Sequence, residues 1–174
     1  MGGALPAAAG GKVWGDGLAA EGRFRALSLL ADARDTPHAA RQMAVGTLIA
    51  WDLPGIADEV ELCVSELVTN AVLHAIVGRH LCEPGYRPTI TLTLRAWPRW
   101  LFIDVMDEDP SPPTLPIGDG FGPELAEGVP EALILDHGRG LGIVRELADQ
   151  VWWMPDGDGG KSVFCRFDLE PVRS

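Results

Sequence analysis

Glu66, Asn70 and His74 stand four residues apart in the stretch IADEVELCVSELVTNAVLHAIV, which runs from Ile56 to Val77. On a helix, that spacing stacks side chains in one column. The column offers a carboxylate that accepts protons, a carboxamide with a neutral oxygen, and an imidazole. A second set comes late in the chain, where Gly138, Gly140 and Gly142 alternate in GRGLGIVREL before a helical stretch. Glycines let the backbone approach a phosphate, and a helix N-terminus supplies oriented amides. A third candidate is Asp107, which ends the apolar row Leu101, Ile103 and Val105. If that row faces the core, Asp107 points inward, where a carboxylate without a partner is unfavourable. Each feature also has a plainer reading. An amphipathic helix normally carries a polar row, glycine-rich turns are common at helix starts, and Asp107 can simply begin a turn.

The elements that must position these residues are legible from periodicity. Val60, Cys63, Val64, Leu67, Ala71 and Ala75 recur at three- and four-residue steps and predict one long helix with a buried stripe. Pro54 and Gly55 mark its entry, Asp58 and Glu59 suit its positive end, and Gly78 with Arg79 follows it. Arg23 to Leu30 reads as a first strand. Thr36 before Pro37 predicts a capped helix start, with the helix reaching Trp51 and burying Ala40, Met43, Ala44, Leu48 and Trp51. TITLTLRAW and WLFIDVMD alternate as two strands around a Pro98-Arg99 turn. Residues 110–137 are dense in Pro and Gly, and so long a loop is functional or disordered. Ile143, Val144 and Leu147 then pack a helix, and VWWM, the turn PDGDGG and SVFCRFDL predict a closing hairpin. In its last strand Val163, Cys165, Phe167 and Leu169 face inward, while Trp152 and Trp153 read as packing residues.

The chain has 174 residues, enough for one domain with a sizeable core. A net charge of -11 and a pI near 4.6 argue against direct nucleic-acid binding, which needs clustered Lys and Arg. No apolar run reaches the roughly 18 residues that cross a bilayer, and the N-terminus is not a secretory signal. Cys63, Cys82 and Cys165 have no metal-ligand spacing and suggest free thiols in a cytoplasmic protein, with Cys63 and Cys165 as core residues. The glycine run fails as a dinucleotide fingerprint, because Ile143 stands at the third glycine's place, and it lacks the Gly-Lys-Ser/Thr ending of a Walker loop.

Taken in order, ELVTN with AVLHA, a strand ending in Asp107, a Pro/Gly-rich gap, GRGLG at a helix start and Gly160-Lys161-Ser162-Val163 resemble the GHKL ATPases. That superfamily includes gyrase, a heat-shock chaperone, the histidine kinases and the MutL repair protein. The resemblance covers Arg23 to Leu169. It implies an α+β Bergerat fold, a two-layer sandwich whose mixed, mostly antiparallel sheet is covered on one face by helices. It implies an ATP-binding domain over 23–170 and a lid at about 110–137, preceded over 1–22 by a stretch whose Gly and Ala content and lack of periodicity read as a flexible tail. It implies ATP and Mg2+ as cofactors, with Asn70 holding the metal and Glu66 activating the nucleophile. Such roles suit an amide oxygen and a carboxylate one turn apart. Asp107 would accept from the adenine amino group, Ser162 would help hold the base, and His74, Gly138, Gly140, Leu141 and Gly142 would line the nucleotide. Arg139 would stabilise charge on the transferring group, its plainer reading being a solvated loop charge.

Only about twenty residues are expected before the first strand, and no transducer domain after the last. The compact form therefore resembles the anti-sigma-factor serine/threonine kinases. Their partners are a sigma factor and an anti-sigma-factor antagonist, with room for a homodimer and no membrane. One departure stands out: the family's first glycine box, Asp-x-Gly-x-Gly, is here Asp107-Glu108-Asp109-Pro110-Ser111. Two added carboxylates would repel nucleotide phosphates unless they point away or bind the metal. Two functions follow, a serine/threonine protein kinase favoured by Glu66, and a noncatalytic protein-binding regulator favoured by Asp109.

Overall fold

A computed structural model describes residues 22–78, 85–113 and 140–169, and the side chains of 76–78 are not among them. The expected tail over 1–22 and lid at 110–137 lie almost wholly outside the described residues, as do Cys82, Gly138 and Arg139. In chain order the elements are β1 (Arg23–Leu30), α1 (Thr36–Ala50), a 3-10 turn (Pro54–Ile56), α2 (Ala57–Gly78), β2 (Thr89–Trp97), β3 (Trp100–Asp107), α3 (140–147), β4 (Gln150–Pro155) and β5 (Lys161–Asp168). The five strands form one sheet in the order β1-β2-β3-β5-β4, and all four pairings are antiparallel. The mixed character expected of the sheet is thus absent among the described strands. Helices segregated to one face of such a sheet make an α+β fold, consistent with the Bergerat architecture.

The core lies between that face and the helices. From β2 it takes Ile90, Leu92, Leu94 and Ala96, and from β3 Leu101, Ile103 and Val105. α2 contributes Val60, Cys63, Val64, Leu67, Val68, Ala71 and Ala75, the stripe its periodicity requires. α1 adds Ala40, Ala44 and Leu48 through its contact with α2. The start of α1 differs from expectation. Thr36 Oγ1 does not cap the helix; it donates to the Leu30 carbonyl at 2.6 Å, and Asp35 occupies the cap position. The hydroxyl therefore ties the helix to the end of β1, in a setting so buried that it needs that partner.

The opposite sheet face is built differently. Asp104, which is buried there, pairs with Arg95, and Arg95 also lies over the Phe24 ring at 5.6 Å. Trp97, Phe102, Trp152 and Phe164 follow one another across four strands, the last two stacked with centroids 5.2 Å apart. Such aromatic contacts stiffen neighbouring strands by about 0.5–1.5 kcal/mol each. Trp152 is therefore a packing residue on this face, and Trp153 packs against the core on the other.

β4 and β5 are joined by residues 156–160, closed by Asp156 N–H donating to Gly160 O at 2.8 Å, with Gly159 at φ +100°. At Gly160 the chain runs so close to β3 that an added Cβ would lie 2.1 Å from the Asp107 carbonyl oxygen. That approach fixes the first residue of β5 against the last residue of β3. Gly160→Ala should therefore destabilise the protein by about 1–3 kcal/mol in urea unfolding, because backbone must move to admit the methyl. Gly157→Ala, with nothing within 4 Å of the added carbon, should stay within about 0.5 kcal/mol of wild type.

Candidate functional site

One wall of the site is the polar column of α2. Glu66, Asn70 and His74 are each half-buried, beside the stripe that packs on the sheet. Glu66 lies against α3. A Cβ on Gly140 would sit 2.3 Å from Glu66 Oε2 and 3.7 Å from Asn70 Nδ2, so a side chain there would displace the Glu66 carboxylate from its present place. Asn70 Nδ2 is buried and has no hydrogen-bond partner among the described residues. A buried amide of that kind is held for something that can satisfy it. Turned by 180°, the same group presents its oxygen instead, so it can serve an anion or a cation.

The other wall is where β3 ends and β5 begins. Asp107 is 2% exposed and Lys161, directly opposite in the sheet, is 1% exposed. Lys161 Nζ donates to Asp107 Oδ1 at 2.9 Å, to Asp109 Oδ2 at 3.2 Å and to the Asp109 carbonyl at 3.1 Å. All three ammonium hydrogens are thereby used. Asp107 Oδ1 also accepts from the Asp109 backbone N–H at 2.9 Å, and Asp109 Oδ1 accepts from the Ser111 N–H at 3.2 Å. His74 Nδ1 meets Asp109 Oδ2 at 3.1 Å, which extends the network back to α2.

Burial sets the protonation balance. It pushes the Asp107 carboxyl above its ordinary value, although Lys161, the Asp109 amide and His74 pull it back. Burial also acts on Asp109, but there the Ser111 amide and Lys161 outweigh it and hold the carboxyl low. His74 is pushed below 6.5, first by burial and then by the Lys161 ammonium, against the opposing pull of Asp107 and Asp109. A neutral His74 can donate from Nδ1 to Asp109, which accepts only.

The residues expected to form the site are partly brought together. Glu66, Asn70, His74, Asp107 and Gly140 converge between α2, α3 and the β3 end. Leu141 is there as well, but as a core residue 3% exposed, and Gly142 is half-buried one position beyond it. Ser162 is a correction. The β3–β5 register pairs it with Met106, placing it on the sheet face away from α2, because side chains alternate along a strand. Lys161 takes the inward position instead. Sequence reasoning missed Lys161, although the inward row Val163, Cys165, Phe167 extended back by one step lands on it. Gly138 and Arg139 lie outside the described residues. The two carboxylates of the altered glycine box are accounted for. Glu108 turns outward to accept from Thr89 Oγ1 at 2.6 Å, and Asp109 is held by Lys161 and His74.

The two ends of this cleft suit ATP and magnesium unequally. The unpartnered Asn70 amide, the adjacent Glu66 and the bare approach at Gly140 fit a phosphate and metal end. A single amide would hold an ion only with the ligand's own oxygens, and no cluster of three or more His, Cys, Asp or Glu side chains offers another metal site among the described residues. The base end does not fit in this conformation. The space bounded by Leu67, Asn70, His74, Asp107, Leu141 and Lys161 is about 10 Å³, room for about one water. A larger hollow of about 410 Å³ lies at the α3–β4 turn, lined by Arg145, Asp149 and Trp152, and contains none of the expected site residues.

The histidine kinase-like ATPase domain matches residues 30–167, well over half of the chain. No curated protein matches the chain at a significant level.

Two outcomes follow from the network itself. Lys161→Met should destabilise the fold by about 3–5 kcal/mol at neutral pH, because it leaves Asp107 buried and unpaired. Adding Asp107→Asn should restore a large part of that loss, as read by urea unfolding. The second outcome is pH-dependent. His74 is held below 6.5 in the fold, so the unfolded chain binds its proton more readily. Its stabilising contribution is complete above pH 6.5 and is lost as pH falls from there through the depressed value. His74→Gln, which keeps a donor for Asp109, should remove that part of the pH slope, and an unchanged slope would assign it to other groups.

Proposed function

Because this chain belongs to the histidine kinase-like ATPase domain family, we propose that it is an ATP-dependent regulatory protein that phosphorylates a protein partner. Membership in the family implies ATP as the ligand. The finer reading is a serine/threonine kinase of the anti-sigma-factor type, whose partners are a sigma factor and the antagonist that releases it. The observation that carries it is the Glu66–Asn70 pair: a carboxylate against Gly140, one helical turn from a buried amide nitrogen without a partner among the described residues. A module that only bound proteins would have no use for that arrangement.

ATP bound with magnesium supplies the transferable phosphoryl group and its charge-neutralising ion. Asn70 is the residue that would hold the metal, through its amide oxygen. Glu66 would take the proton from the partner's Ser or Thr hydroxyl, work that depends on position because phosphoryl transfer needs little covalent help from the protein. Of the two carboxylates that replace the glycine box, Glu108 is turned outward to Thr89 and Asp109 is bound by Lys161 and His74. Arg139 is proposed as the cation beside the transferring group.

A second reading has its own support. The ion pair between Asp107 and Lys161 and the 10 Å³ space beside it favour a regulator that binds its partner without catalysis. Labelled ATP, offered with each candidate antagonist from the same genome, separates the two. The kinase reading expects transfer to an antagonist, reduced about 100-fold or more in Glu66→Gln with ATP affinity kept. It also expects Asn70→Ala to bind ATP more weakly in magnesium. Binding of an antagonist without any transfer by the wild type would establish the noncatalytic regulator.

A further inference from the structure

The family's Asp at the end of β3 is expected to accept from an adenine amino group, yet here one of its two carboxylate oxygens already has two donors. Asp107 Oδ1 receives the Lys161 ammonium at 2.9 Å and the Asp109 N–H at 2.9 Å. Lys161 in turn has no hydrogen left to give, and its side chain is 1% exposed. The surrounding space is about 10 Å³, whereas pockets that hold small ligands run to about 300–1,000 Å³. The stem of the lysine occupies the volume and its head occupies the hydrogen bond.

The choice of residue is informative. The whole sequence contains two lysines, Lys12 and Lys161, against twelve arginines. Among the described residues the exposed cations are all Arg, and the one lysine is placed in the core. Lysine carries a compact charge on a flexible four-carbon stem, which can swing without moving backbone. Arginine, with a rigid planar fork, is the usual residue for a permanent buried pair with a carboxylate. A flexible lysine suits a contact that is made and broken.

We infer that Lys161 is a built-in occupant of the base subsite, standing in for the adenine amino group on Asp107 and leaving only when a nucleotide base enters. This rests on the ATP reading above and adds a gate to it. Binding must first break the Lys161 contacts with Asp107 and Asp109, so apparent affinity is reduced by the small fraction of molecules in which the lysine is withdrawn. His74 takes part because it shares Asp109 with Lys161. Release of the ammonium leaves the imidazole and the Ser111 N–H as donors to that carboxylate.

Titration calorimetry with magnesium and ATP on wild type, Lys161→Thr and Lys161→Met tests the gate. Lys161→Thr, which empties the volume and frees Asp107, should bind ATP about ten-fold or more tightly than wild type. Lys161→Met, which keeps the stem, should gain less than Lys161→Thr. Equal affinity in folded wild type and Lys161→Thr overturns the gate while the ATP reading stands. Absence of binding in both folded proteins overturns the ATP reading and the gate with it. Should Lys161→Thr fail to fold, amine acetylation of the wild type read by mass spectrometry decides. Lys161 should label far more slowly than in the denatured chain, and magnesium-ATP should accelerate it. Labelling at the denatured rate without nucleotide, or unchanged protection with ATP added, overturns the proposal.

Discussion

Asp107 and Lys161 face each other across the β3–β5 pairing with almost no contact with water, and much of this molecule is arranged to make that tolerable. Two buried charges lose several kcal/mol of hydration each, and their attraction repays this only if the remaining hydrogen-bonding capacity is used. Here it is used. The ammonium has three acceptors, Asp107 Oδ1 has two donors, and Asp109 is fastened to Ser111 and His74. The loop after β3 therefore takes its path from the lysine, and the lysine takes its height from Gly160. An apolar pair of equal volume would hold the sheet about as well. The ionic version is distinguished by being specific and by coming apart in only one way.

β3 carries a second ion pair on its other face, and the contrast shows what is particular about the first. Asp104 is nearly as buried as Asp107, and burial pushes its carboxyl up as well. Its partner Arg95 remains partly exposed, lies over Phe24 and keeps part of its charge in water. That pair belongs to a face of stacked aromatic rings, where it fixes strand positions. The Asp107 pair sits at a strand end, beside the polar column of α2, where the backbone changes direction. One is a clasp within a sheet; the other is a stopper at the mouth of a cleft.

What the sequence disclosed follows from the range of each interaction. Helix α2 was legible because its stripe of Val, Cys, Leu and Ala repeats over about four turns and every member is buried. β2 and β3 were legible because strict alternation places Ile90 through Ala96 and Leu101 through Asp107 on one face, and Asp107 does point inward. The misses come from single contacts between distant residues. Thr36 has the composition of a cap, yet a carbonyl six residues back competes for its hydroxyl. Ser162 and Lys161 differ by one position, and one step of a strand exchanges its faces completely. The orientations of Glu108 and Asp109 are set by partners, Thr89 and Lys161, that lie 19 and 52 residues away. No local pattern encodes such partners.

The cleft therefore has two ends made by different logic. At the α2–α3 end the groups are left wanting: an amide without a partner, and a carboxylate against a glycine that leaves it room. At the β3–β5 end every polar atom of the lysine is satisfied. A site that must accept a ligand keeps unsatisfied groups where that ligand binds first, because those groups gain most from its arrival. It can keep satisfied groups where the ligand must compete, since there the exchange is nearly balanced and a small change in the surroundings tips it. His74 stands between the two ends, on the same helix face as Asn70 and in contact with Asp109. Its position connects the unsatisfied end to the satisfied one through a single turn of α2.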